Sequence, residues 1–242
     1  WNQKDKSVIL AVIGKEPVHE GIKIVGSHID SPRLDLKANP VHEQDSIVYF
    51  RTHYYGGIKK YQWTCIPLAL IGVVFTKDGK KVDINIGLKD SDPVFYVSDL
   101  LIHMAQDQMK KTLAEGITGE QLQAVAGTHS EEGQTPKDAI MTLLKKEYGI
   151  EEEDFAAAEL ELVPATKSRD VGFDRSLIAS YGQDDRVCSF ANLEAILDAK
   201  PGVKTQTALL TDKEEIGSYG NTGMESSYFV KFVMKLLALQ GQ

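Results

Sequence analysis

The stretch from Ile22 to Asp35, Ile-Lys-Ile-Val-Gly-Ser-His-Ile-Asp-Ser-Pro-Arg-Leu-Asp, constrains this chain more than any other. Its apolar alternation reads as a strand, and Pro32 cannot continue a ladder. Side chains on a strand repeat every second residue, so His28 and Asp30 leave one face at the strand's carboxyl end. Open α/β sheets bind their ligands there. A carboxylate behind a histidine fixes the ring tautomer and raises its basicity, which is how proteins orient a metal-binding imidazole. A surface His beside a turn-forming Asp-Ser-Pro would have the same local sequence, so the stretch needs support from the rest of the chain.

The 242 residues suffice for one large domain or two smaller ones. With 42% hydrophobic and 26% charged residues the chain is ordinary for a globular protein, and disorder is not expected. A net charge of −8 argues against a nucleic-acid partner, because such binding relies on phosphate neutralisation by a basic surface. Cys65 and Cys188 are too few for a disulfide framework and neither lies in a CxxC pair, which favours a reducing compartment such as the cytoplasm. Cys188 falls among apolar helical residues and reads as a buried, inert thiol. The longest apolar run, Cys65 to Phe75, contains Pro67 and Gly72 and falls short of the ~20 residues of a membrane span. No signal peptide is apparent. The sequence begins at Trp1 and ends inside a helical stripe of Phe229, Phe232, Val233, Leu236 and Leu237, so a fragment of a longer protein is expected.

Ser7–Ile13 and Ile22–His28 read as two strands joined by a turn. Beyond Pro40 the pattern changes to β-rich runs, at 46–53, 64–76 and 81–86, with Lys77-Asp78-Gly79-Lys80 as a hairpin turn. Ser98 is positioned to cap a helix carrying Leu101, Met104, Ala105 and Met109, with His103 beside its polar side. Residues 118–133 and 166–182 read as loops, and the acidic run Glu151–Asp154 as a solvated helix start. Thr135-Pro136 opens a helix with Ile140, Leu143, Leu144 and Tyr148 on one face, and Gly149 ends it. Residues 158–163 alternate as a half-buried strand. A helix over Val187–Leu197 and a buried strand over Lys204–Thr211 restore α/β alternation. The expected architecture is therefore an α/β domain, 1–40 with 164–242, split by a β-rich insertion at 41–163.

Three clusters fall at strand ends or just before a helix: His28 with Asp30, Asp184 with Asp185, and Glu214 with Glu215. Imidazole and carboxylate oxygens suit borderline divalent ions, and a catalytic site keeps an open position for water. Adjacent residues on an extended segment point in opposite directions, so Glu214 and Glu215 divide better into one ligand and one base than into two ligands of one ion. Asp184-Asp185 has a second reading as a helix cap. His19, His42 and His129 lie in polar loops without an assigned role, and His53 reads as a strand-end surface residue.

Taken together, these residues resemble the aspartyl aminopeptidase family of dinuclear zinc peptidases, in its bacterial branch. The resemblance rests on Gly26-Ser-His-Ile-Asp-Ser-Pro-Arg-Leu, Tyr54-Tyr-Gly-Gly, Trp63, Gln183-Asp-Asp-Arg-Val and Asp212-Lys-Glu-Glu-Ile-Gly-Ser, and so spans nearly the whole chain. It implies that His28 binds one zinc, Asp184 bridges both, Glu215 binds the other, Glu214 is the general base and Asp30 is the carboxylate behind His28. It implies a zinc-peptidase sheet flanked by helices with an inserted β-rich dimerisation domain, and dimers assembled into a tetrahedral dodecamer. In such an assembly a His of the insertion reaches a neighbour's site, and His103 is similarly placed. The family takes a further Asp and a final His from a carboxyl-terminal portion that these 242 residues do not contain. Cobalt or manganese can replace zinc at nitrogen and oxygen sites. The implied activity is hydrolysis of the amino-terminal peptide bond of peptides. Two rivals remain: a related deacylase or carboxypeptidase chemistry on the same scaffold, and a catalytically incomplete fragment or metal-free assembly subunit of the same fold.

Overall fold

A computed structural model describes residues 1–241. In chain order, β1 (Asn2–Gln3), β2 (Ser7–Val12) and β3 (Ile22–His28) precede β4 (Arg33–Gln44), β5 (Ile47–Tyr55), β6 (Pro67–Phe75), β7 (Lys81–Ile86) and β8 (Phe95–Tyr96). A helical turn α1 (Leu113–Gly116), strand β9 (Ala124–Gly127), helix α2 (Pro136–Tyr148), strand β10 (Ala158–Pro164) and strands β11 (Arg169–Val171) and β12 (Leu177–Ala179) follow. Helix α3 (Gln183–Asp198), β13 (Thr205–Thr211) and α4 (Tyr228–Leu239) complete the order. The fold is mixed α/β. Contacts divide it into two compact units, Trp1–Pro32 with Gly182–Gln242, and Arg33–Tyr181.

In the 33–181 unit the strands pair in the order β10-β4-β5-β9-β8-β6, and β6 pairs back onto β10, closing a barrel with β7 outside β6. Closure satisfies backbone groups that an open sheet would leave at its edges. Inward positions of the alternating strands supply the core: Leu34, Val48, Phe50, Leu68, Val74 and Leu162 are buried together with Leu122. Gly72 allows the close approach of β6 to β10, because its φ is +133° and a Cβ there would strike the Glu159 carbonyl. Helix α2 begins as its sequence predicts. The Thr135 side chain accepts the Asp138 amide, Asp138 accepts in return from Thr135, and Gly149 closes the helix in the left-handed region. Leu144 is buried with Ile140, Met141 and Tyr148 packed around it. Leu143, expected on that face, is exposed, one step of about 100° away from Leu144.

Four local expectations are corrected. The segment after Ser98 is no α-helix but a series of turns with one 3₁₀ turn at Gln108–Lys110. Leu101, Met104 and Met109 are 70%, 72% and 67% exposed, so no buried apolar face holds a helix there. Residues 118–133 contain β9, and 166–182 contain the paired β11 and β12. Asp154 in the acidic run is buried, accepting the amides of Glu151 at 2.8 Å and Lys77 at 3.0 Å. Strand β4 runs through Pro40, which breaks strand patterns in sequence. Its pairing with β5 shifts register between Leu36 and Val41, and a bulge is where a strand tolerates proline. Residue 40 thus lies inside β4, and residue 164 ends β10.

In the other unit the sheet order is β1-β2-β13-β3. Strand β13 runs between β2 and β3, antiparallel to the first and parallel to the second. Tyr228, Phe232 and Leu236 of α4 pack on Ile9, Val18 and Leu209, which accounts for the apolar stripe near the end of the sequence. Helix α3 leaves Val187, Phe190 and Leu197 exposed, and Cys188 with them, contrary to the buried thiol expected. Among the described residues no helix is long and apolar enough to cross a membrane. Leu162→Ala opens a cavity in the closed barrel and is expected to cost about 2–5 kcal/mol. A urea unfolding midpoint unchanged from wild type would show that the barrel core does not depend on Leu162.

Candidate metal centre

The parallel pairing of β3 with β13 sets Thr211 opposite His28, so both strands end side by side, and the Ile29 amide donates to the Thr211 carbonyl at 2.8 Å. Beyond β13 the chain turns sharply. Lys213 (φ +71°) and Gly217 (φ +84°) lie in the left-handed region on either side of a 3₁₀ turn, Glu214–Ile216. Asp30, 5% exposed, accepts the Glu214 amide at Oδ1 (3.1 Å) and the Glu215 amide at Oδ2 (3.2 Å). Its carboxylate thereby ties the end of one strand to the turn after the other. The base of the same loop is fixed by Ser7, whose Oγ accepts the Asp212 amide at 2.9 Å and donates to the Thr222 carbonyl at 2.7 Å. Thr222 Oγ1 donates to Asp212 Oδ2 at 2.6 Å.

Helix α3 brings the third cluster. Ser189 Oγ donates to the His28 carbonyl at 3.0 Å, joining the helix to β3. Asp184 and Asp185 occupy the first turn, and the N-cap is Gly182 rather than either Asp. Consecutive helical residues point about 100° apart, and the pair divides accordingly. The Asp184 side chain is 74% exposed with Oδ2 3.9 Å from His28 Nε2. Asp185 is 3% exposed, with Oδ1 3.1 Å from His28 Nδ1, and Ser31 Oγ donates to its Oδ2. His28 Nδ1 also lies 3.0 Å from the Asp30 carbonyl oxygen and 3.7 Å from Asp30 Oδ1.

The electrostatics are those of an acidic nest around one imidazole. Burial pushes the Asp185 carboxyl up, the Ser31 hydrogen bond and His28 oppose this, and the charges of Asp184 and Asp30 add to it. Burial disfavours protonated His28, yet the Asp30 carbonyl and the charges of Asp185, Glu214 and Asp30 outweigh it and raise its pKa. Among the described residues, His28, Asp185 and Glu215 each offer a ligand atom within 4.8 Å of the others. All of His28, Asp30, Asp184, Glu214 and Glu215 therefore meet at one end of one sheet. His103 belongs to the 33–181 unit and is exposed on a turn. Sequence reasoning read Asp185 only as a cap; the signal available was the Asp-Asp pair itself, which on a helix gives one side chain to His28 and the other to solvent.

The whole chain, residues 1–242, matches the family described as aminopeptidase I zinc metalloprotease (M18). The chain belongs to the M18 family. A probable M18 family aminopeptidase 1 of Clostridium acetobutylicum is 50% identical over 99% of the chain and 52% of its own length. The crystal structure of aminopeptidase I from Clostridium acetobutylicum superposes with a TM-score of 0.92 at 47% identity, over 99% of this chain and 53% of that one. The yeast mApe1 dodecamer shares the M18 fold at 19% identity, with a TM-score of 0.68 over 96% of this chain and 53% of its own. The chain spans about half the length of the curated relatives it matches. Asp30→Ala removes both acceptors of the turn amides and is expected to cost about 3 kcal/mol, as bonds to a charged acceptor do. Hydrogen exchange at the Glu214 and Glu215 amides should accelerate; unchanged protection would mean that Asp30 does not hold the turn.

Proposed function

We propose that the protein containing this chain is a metalloaminopeptidase that hydrolyses the amino-terminal peptide bond of peptides at a dinuclear zinc site. The observation that carries this reading is the meeting of His28, the Asp184-Asp185 pair and Glu214-Glu215 where β3 and β13 end together. Membership of a family described as zinc metalloprotease supports it. The donor set fits the metal. Imidazole with several carboxylates is what zinc takes in catalytic sites, and the buried Asp185 Oδ1, which accepts no hydrogen bond from the described residues, marks a centre short of positive charge. In this reading His28 would hold one zinc, Glu215 the other and Asp184 both; cobalt or manganese could serve in place of zinc.

Bound zinc supplies Lewis acidity toward a carbonyl oxygen and a water of lowered pKa. The exposed Glu214 carboxylate, its own amide fixed by Asp30, takes up a proton at a side-chain oxygen and delivers it to the departing amine. Asp30 positions the site through its carbonyl on His28 Nδ1 and its carboxylate on the 214–215 amides. The 33–181 unit serves as an inserted dimerisation domain. Its segment from Leu100 to Leu113 exposes Leu100, Leu101, Ile102, Met104, Met109 and Leu113 around His103, an apolar surface suited to burial against another subunit. His103 thereby reaches a neighbour's site in a homo-oligomer, a tetrahedral dodecamer of dimers, working in the cytoplasm.

Glu214→Gln should retain zinc and lose turnover by roughly 10²–10⁴-fold, whereas His28→Ala or Asp184→Ala should lower the zinc found by elemental analysis. Full turnover in the Gln variant would remove Glu214 from the mechanism, and a wild-type protein free of metal would favour the assembly-subunit alternative. Cleavage of amino-blocked peptides in preference to free-amine ones would move the activity to the related deacylase or carboxypeptidase class. Mixing inactive His103→Ala with inactive Glu214→Gln subunits should restore activity in shared oligomers; none would appear if His103 acts within its own subunit or not at all.

A further inference from the structure

We infer that Ser7, Asp212 and Thr222 form a positioning clamp that sets the place of Glu214 and Glu215, so that strand β2 shares in building the proposed metal site. The inference rests on that site and adds positioning residues to it. Asp212 is a buried carboxylate, 8% exposed, that the proposed mechanism does not use. Its Oδ2 accepts the Thr222 hydroxyl at 2.6 Å, and its amide donates to Ser7 Oγ at 2.9 Å. Ser7 Oγ in turn donates to the Thr222 carbonyl at 2.7 Å, which closes a ring of three bonds. All three residues are buried, so breaking one bond leaves a polar group unpaired away from water.

The clamp reaches the turn from both ends of the loop. Only Lys213 separates Asp212 from Glu214, and its carbonyl accepts the Ser218 amide at 2.7 Å. On the other side Gly223 follows Thr222 and lies against Ser218, where a Cβ would strike the Ser218 carbonyl. A shift at Thr222 is therefore passed through Gly223 and Ser218 to Lys213, beside the two glutamates. Asp30 holds the same turn from β3, through the Glu214 and Glu215 amides. The turn is thus held twice, by its amides and by its base. Groups that must stay within about 0.5 Å of a working geometry need support of this kind. Ser7, Asp212 and Thr222 act through the backbone of the loop rather than on substrate.

The test compares Thr222→Val, which keeps the shape but not the hydroxyl, with Thr222→Ser, which keeps the hydroxyl, in the full protein with and without zinc. In zinc-free protein Thr222→Val should speed hydrogen exchange at the Glu214 and Glu215 amides. It should also weaken zinc binding in chelator competition and lower kcat at saturating zinc, each about 10–100-fold, the usual effect of losing support behind a metal site. KM should stay unchanged, because no group that meets substrate is altered. Thr222→Ser should return all of these toward wild type. Ser7→Ala should act as Thr222→Val does, and stands in should that variant fail to fold. The inference is overturned if Thr222→Val lowers the urea midpoint yet leaves exchange, zinc affinity and kcat as in wild type, since the ring would then add stability alone. A Thr222→Ser variant no better than Thr222→Val overturns it too. Asp212→Asn, which keeps an acceptor oxygen for Thr222, should retain zinc; a loss as complete as in His28→Ala would make Asp212 a ligand and sink the clamp. A wild-type protein that binds no zinc refutes the proposed function, while the exchange measurement still decides whether the clamp sets the turn.

Discussion

The parallel pairing of β3 with β13 is the interaction on which the centre depends. Each strand alone ends in a polar sequence of no special consequence. Paired in a register that sets Thr211 against His28, they bring an imidazole and two glutamates to one edge of the sheet. A slip of one residue would send His28 to the opposite face. The register is held along seven residue pairs and again past the strand ends, by the Ile29 amide and by Asp30 on the amides of Glu214 and Glu215. Buried Thr205, Thr207 and Thr211 line the same strand, and Thr207 Oγ1 donates to the Lys23 carbonyl at 3.1 Å, fastening β13 to β3 through a side chain as well.

What gathers at that edge is costly in the absence of a cation. Asp30, Asp184, Asp185, Glu214 and Glu215 surround His28, and mutual repulsion with burial drives Asp185 toward its neutral form. The protein relieves part of this by spending carboxylate oxygens on backbone amides and a hydroxyl. Asp30 is neutralised in this sense by the turn, and half of Asp185 by Ser31. The exposed Asp184 and Glu214 retain their capacity for other partners. Burial thus separates carboxylates that hold the architecture from carboxylates that face outward.

Much of the centre was legible in the sequence because its residues sit at ends of elements with strong periodic signals. The apolar alternation of 22–28 and the continuous apolar run of 205–211 define strands, and whatever follows each one is placed by the sheet. Asp185 was not legible. Its burial beside His28 depends on which of two adjacent carboxylates a helical turn directs inward, and neither composition nor spacing states the helix's rotation. In the barrel unit, Pro40 hid β4, since proline in a strand is recognisable only once its bulge is seen. Residues 98–113 misled in the opposite direction: a helical spacing of apolar residues was present, but the face it defined is left in solvent. Periodicity reports a potential apolar surface and not what covers it.

The chain order of these elements has a kinetic consequence. The amide of Glu214 and the carboxylate of Asp30 that accepts it lie 184 residues apart, and every strand of the closed barrel is encoded between them. During synthesis, at about 5–20 residues per second, β3 emerges long before β13 exists to pair with it, while the barrel acquires all its partners in the interval. Bringing such distant segments together carries its loop-closure entropy before any contact rewards it. A folded barrel shortens that search by replacing a floppy loop with a compact body. The site accordingly cannot assemble before β13 is made, and β3, with Ile24 and Val25 still exposed in the finished sheet, must be kept from pairing elsewhere until then.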